Sequence, residues 1–149
     1  MKRIMGIDYG SVRLGIALSD ELQMLAHPAE TVAMGQPARA LDRIAALARE
    51  KEVERIIVGL PRQLNGALGE SAGKAQQFAE KLRAIVGCEV ETWDERFSTV
   101  AAQRSLREAG KTTRQTRGYV DQVAAQIFLQ SYLDSLQLRR HPTVPESLA

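Results

Sequence analysis

KRIMGIDYGSVRLGIALSD, residues 2–20, is the stretch that decides the fold. Residues 3–9 read as one strand, Gly10-Ser11 ends it, and Leu14 to Ser19 follows at once as a second. So short a connection forces the pair antiparallel, because a parallel crossover needs a dozen or more residues. A third extended piece, around Leu25 to Ala33, carries His27-Pro28, and proline belongs at an edge or a bulge.

Working outward, Pro37 opens a helix with Leu41, Ile44, Leu47 and Ala48 at helical spacing. Val53 to Leu60 (VERIIVGL) is β-branched, apolar and closed by Pro61, the pattern of a buried parallel strand. A polar loop with Asn65-Gly66 leads to Ser71, which can cap a second helix bearing Ala75, Phe78, Leu82 and Ile85. Cys88 to Trp93 is another strand, and Ser98 caps a third helix that Gly110 ends. Lys111 to Gly118 has no apolar residue and reads as a loop, and a last helix runs from Tyr119 to Leu136. The expected fold class is α/β: a mixed five-stranded sheet, an antiparallel meander followed by parallel strands, with helices on both faces. One domain is expected over residues 1–138, with a flexible tail over 139–149 that contains Pro142 and Pro145.

The 149 residues are 44% hydrophobic and 26% charged, which excludes collagen, disordered tails and coiled-coil rods. A net charge of +2 is too small for a purely electrostatic nucleic-acid binder. The charge is uneven, however: Arg104, Arg107, Lys111, Arg114 and Arg117 face a single acid, Glu108, between Ala101 and Val120. Cys88 is the sole cysteine, so neither an internal disulfide nor a cysteine zinc site is available. The apolar start is broken by Asp8 and Arg13, and no run approaches membrane-span length; a cytoplasmic protein without membrane partners is expected.

Three acidic positions stand out. Asp8 ends a strand that must be central, and a carboxylate there is costly unless paired, solvated or metal-bound. Asp94 and Glu95 end another strand, at the side of an α/β sheet where functional crevices lie. Strand alternation sends the two to opposite faces without saying which faces Asp8. Asp121 falls opposite the stripe Gln122, Gln126 and Gln130, on the inward side with Ala124, Ala125 and Phe128. Clustered carboxylates repel one another unless a divalent cation relieves them, and an oxygen-only set suits Mg²⁺ or Mn²⁺. Such ions stabilise the attacking and leaving oxygens of phosphodiester cleavage, chemistry that suits a neighbouring basic segment. His27 and His141 lack metal-ligand spacing, and Cys88 reads as a buried apolar residue.

GIDYG (6–10), RLGIA (13–17), VGLP (58–61), DERFST (94–99) and DQVAA (121–125), in this order, resemble the YqgF (RuvX) family of small RNase H-like proteins. The likeness runs from Lys2 to Leu136 and departs mildly at Gln122-Val123, where smaller residues are expected. It implies an RNase H-like fold and a nuclease that processes the 5′ end of pre-16S rRNA. The alternatives are a Holliday junction resolvase acting on branched DNA and a non-catalytic nucleic-acid-binding module. It further implies Asp8, the Asp94-Glu95 pair and Asp121 as catalytic acids; we favour Glu95 of the pair, with Asp8 and Asp121, as metal ligands to Mg²⁺ or Mn²⁺. Arg104, Arg107, Lys111, Arg114 and Arg117 are the expected phosphate contacts, and a monomer or weak dimer is expected.

Overall fold

The computed structural model describes residues 2–60, 70–94 and 114–140. Five strands, β1 (Arg3–Asp8), β2 (Arg13–Ser19), β3 (Ala26–Ala33), β4 (Val53–Leu60) and β5 (Glu89–Asp94), form one sheet in the order β3-β2-β1-β4-β5. β1 pairs antiparallel with β2, and β2 with β3, while β1-β4 and β4-β5 are parallel. The expected meander and parallel half are therefore both present. Pro28 satisfies both expectations at once: β3 is an edge strand, and the register slips opposite Ile16 and Ala17, leaving Ala29 as the extra residue.

Helices cover both faces. On one, α1 (Pro37–Glu50) and α2 (Glu70–Ile85) bury Ile44, Leu47, Phe78 and Leu82 against Met5, Ile7, Ile16, Ile56 and Val58. On the other, α3 (Arg114–Arg140) lays Ala124, Ala125, Phe128, Leu129 and Leu133 on Ile4, Ala17 and Ile57. β1, covered on both sides, is buried from Ile4 to Asp8. That double burial explains why its apolar residues run continuously rather than alternating.

Two expectations about helix ends need correction. Ser71 is not a cap, because α2 already includes Glu70. The last helix begins at Arg114, not near Tyr119, so 114–118 is helix where a loop was expected. Absence of apolar residues does not exclude helix: arginine and glutamine have high helix propensity, and a helix once started extends cheaply. The helix also continues through Arg140, with Arg139 and Arg140 beside its carboxyl end. The expected loop at 62–69, the helix from Ser98 to Gly110 and residues 141–149 of the tail lie outside the described residues.

The glutamine stripe is corrected as well. Gln122, Gln126 and Gln130 are half-buried rather than solvent-facing. Gln126 Nε2 donates to the Ala26 carbonyl at 3.0 Å, and Gln130 Oε1 accepts from the Ala26 N–H at 2.8 Å. Gln122 Nε2 reaches Thr31 Oγ1 at 3.0 Å. Glutamine here serves the exposed polar backbone of an edge strand, a need that helical periodicity alone does not reveal. Midway along α3, Arg55 Nη1 donates to the Tyr132 hydroxyl at 2.7 Å, tying the helix to β4.

Candidate active site

Asp8 is the last residue of β1 and is 4% exposed. Its neighbour Tyr9 packs against Phe78 of α2, with ring centroids 5.5 Å apart and the rings tilted by 51°. Alternation then turns Asp8 to the opposite face, the one under α3, together with Ile4. The register places Asp8 between Gly15 of β2 and Gly59 of β4, and Gly59 is next to Trp93 of β5. The central carboxylate thus stands between two residues that have no side chain.

Those glycines set how close α3 can come. A Cβ at Gly15 would collide with the Asp121 carbonyl oxygen and lie 3.0 Å from the Asp121 Cβ. A Cβ at Gly6 would lie 2.9 Å from that of Leu129, two turns further along α3. Only glycine permits this approach, and through it Asp121 comes to rest on the ladder partner of Asp8. Asp121, 7% exposed, is buried as its inward placement predicts. Two carboxylates, from a strand end and a helix, therefore flank Gly15.

Arg13, at the start of β2, lies two residues before Gly15 and so on the same face. Its Nε donates to Oδ2 of Asp121. The sequence places Arg13 within the RLGIA motif and assigns it no role. Besides that motif, the signal was a cation placed just across the hairpin turn from Asp8, and such a turn gives no spacing rule that pairs it with Asp121.

Asp94 ends β5 in register with Leu60, and Val90, two pairs earlier, packs in the α1/α2 core. Asp94 consequently shares the α1/α2 face, away from Asp8 and Asp121. Trp93 faces α3, meeting the Tyr132 ring edge-on with centroids 5.1 Å apart. Glu95 lies outside the described residues, as do Arg104, Arg107 and Lys111; Arg114 and Arg117 fall in the first turns of α3. Among the described residues, no group of three or more His, Cys, Asp or Glu side chains is placed to hold a metal ion. Cys88 is half-buried beside β5, and burial pushes its thiol pKa up, away from the reactive thiolate. No helix among the described residues is long and apolar enough to cross a membrane.

A mixed sheet in this order, with carboxylates at the end of the central strand and on the helix crossing it, defines an RNase H-like protein. The solved structures agree: RuvC of T. thermophilus in complex with a Holliday junction substrate has a TM-score of 0.56 at 17% identity, covering 92% of this chain and 96% of that one. The fowlpox virus Holliday junction resolvase gives a TM-score of 0.50 at 16% identity, covering 89% and 99%. The sequence matches the family described as "RuvX: Holliday junction resolvase" over residues 2–135, and the chain belongs to that family. Relatives named "Putative pre-16S rRNA nuclease" include that of Halothermothrix orenii, 44% identical over 89% of this chain and 94% of its own. Another, from Chloroflexus aggregans, is 42% identical over 93% and 96%.

Proposed function

We propose that the protein is a divalent-metal-dependent endonuclease that hydrolyses phosphodiester bonds of structured nucleic acid, with the 5′ end of pre-16S rRNA as its substrate. The observation that carries this reading is the placement of two buried acids, Asp8 and Asp121, against the same residue, Gly15. Two such anions, with oxygen the only donor atom, suit Mg²⁺ or Mn²⁺. Held there, the cation supplies Lewis-acid stabilisation of the attacking and leaving oxygens. Asp8 offers the ligand fixed by the sheet, Asp121 the one fixed by the helix, and Arg13 holds Asp121 in place. The third ligand we assign to Glu95. Its support is by exclusion, since Asp94 stands on the α1/α2 face.

Arg114 and Arg117 precede Asp121 by seven and four residues, so helix periodicity sets their positions on the same side of α3. We assign them, with Arg104, Arg107 and Lys111, to substrate phosphates. The arginine nearest the helix start is roughly 10 Å from Asp121 along the axis, a span of one to two nucleotides. An rRNA precursor places the work in the cytoplasm, and we propose a monomer or weak dimer. The rRNA reading follows the name that relatives at 44% and 42% identity carry; the family's description and the junction-bound structure at 17% identity carry the branched-DNA alternative.

The test is cleavage of a 5′-extended 16S rRNA fragment and of a four-way DNA junction, each with Mn²⁺ or with EDTA. Metal-dependent cutting of the RNA in preference to the junction is expected. Preference for the junction would reassign the substrate, and cutting in EDTA would end the metal reading.

A further inference from the structure

Arg13 is placed in a way that a purely structural ion pair does not require. Its guanidinium bonds to a carboxylate whose side chain is only 10% exposed, while its own is 30% exposed. One end of the pair is sealed under α3, and the other opens at the sheet end where Asp8 lies. A guanidinium has five donors, and among the described residues Nε is the one bonded to Asp121, at Oδ2. Arg13 also opens β2, where it pairs with Ala33 of β3 but lies beyond the last β1–β2 pair, Asp8 with Gly15.

We propose that Arg13 is the resident counter-ion of Asp121 in the metal-free protein. It holds the carboxylate in position, opposes metal binding by like charge, and turns to a substrate phosphate once the metal takes Asp121. The inference rests on the metal-dependent reading of the site. The Nε–H takes one lone-pair direction of Oδ2, and its positive charge stands beside the same carboxylate that a divalent cation would use. The displaced group is planar and always charged, with a fork of donors that matches phosphate oxygens in pairs. The same residue would thus weaken metal binding in the free protein and strengthen binding of the polyanion in the metal-loaded one. Arg13 is a positioning residue for Asp121 in the first state and a substrate contact in the second.

The test uses the full chain: Mn²⁺ titrated calorimetrically into wild type, Arg13→Gln, Arg13→Lys and Asp8→Asn, with thermal melts for each, and KM for the RNA fragment. Arg13→Gln is expected to tighten the Mn²⁺ Kd by about three- to tenfold and to raise KM by about tenfold. Arg13→Lys, which keeps the charge and loses the fork, is expected to keep the wild-type Mn²⁺ Kd within about twofold while KM still rises. If Arg13→Gln leaves the Mn²⁺ Kd unchanged or weaker, with wild-type binding still dependent on Asp8, the counter-ion role is overturned and the metal reading stands. A tightened Kd with unchanged KM overturns the hand-over to phosphate. Should Arg13→Gln fail to fold, Arg13→Lys decides: a raised KM supports the inference and an unchanged KM overturns it. Wild-type protein that takes up no Mn²⁺ at Asp8 ends the metal reading and this inference with it.

Discussion

Asp8 and Asp94 illustrate how one residue of register separates two similar acids. Both end a strand at the same edge of the sheet, yet Asp8 faces α3 and Asp94 faces α1 and α2. Alternation along β5 was legible from Val90 to Trp93 in the sequence, but which face mattered was not. That depended on where the helix bearing Asp121 packs, a long-range fact without any local pattern. Trp93 now marks the α3 face through its contact with Tyr132. We therefore expect Glu95→Gln to lose most Mn²⁺-dependent turnover, at least about a hundredfold, corresponding to roughly 2.7 kcal/mol of transition-state stabilisation. Asp94→Asn should keep turnover within several-fold and lower the melting temperature instead. A dead, well-folded Asp94→Asn beside an active Glu95→Gln would reverse the pair.

At the scale of elements, α3 does most to assemble the site, and glycine sets its distance. Gly15→Ala would put a methyl group into the Asp121 carbonyl, with a backbone atom rather than a flexible side chain as the obstacle. We expect a cost of about 1–3 kcal/mol, the range for overpacking, together with loss of cleavage as Asp121 is pushed away from Asp8. A variant that melts and cuts like wild type would show that α3 is free to move and that the close approach is not needed. The meander was legible because so short a connection, four residues from β1 to β2, dictates strand direction; the first turn of α3 was not, because residues 114–118 carry no apolar residue. On the other face, Arg43 clamps Glu30 with two hydrogen bonds of 2.7 Å, linking α1 to the edge strand. The hydrogen bonds from Arg43 hold the Glu30 carboxyl below its ordinary value of 4.5 despite partial burial. A depressed carboxylate pKa stabilises the fold fully above the unfolded value, and that stability is lost as the pH falls below 4.5 through the folded value. Arg43→Gln should therefore lower the melting temperature at neutral pH and narrow the gap from wild type on the acid side. An equal gap at every pH would show that the pair adds nothing through charge.

For the whole molecule, the small net charge of +2 makes the placement of basic residues matter more than their number. Arg114 and Arg117 stand in the same helix as Asp121, so phosphate contacts there would put substrate backbone and acidic site on one element. Replacing Lys111, Arg114 and Arg117 together by glutamine should weaken RNA binding across sequences and flatten the salt dependence by about 0.7–0.9 log units per lost contact. An unchanged slope would assign these residues to solvent. The fold class and the burial of Asp8 and Asp121 were readable from patterns of burial and periodicity, whereas the meeting of the two acids at Gly15 needed the packed structure. Asp8→Asn probes whether the acid beside Gly15 serves cleavage or folding. The measurement is Mn²⁺-dependent cleavage of the 5′-extended 16S fragment by wild type and mutant, with a metal-free melt of each. The predicted result is abolished cleavage by a protein whose melting temperature stays within about 4 °C of wild type, roughly 1 kcal/mol for a domain of this size. Undiminished cleavage, or a mutant that melts far below wild type without metal, would make Asp8 a structural acid and contradict the account.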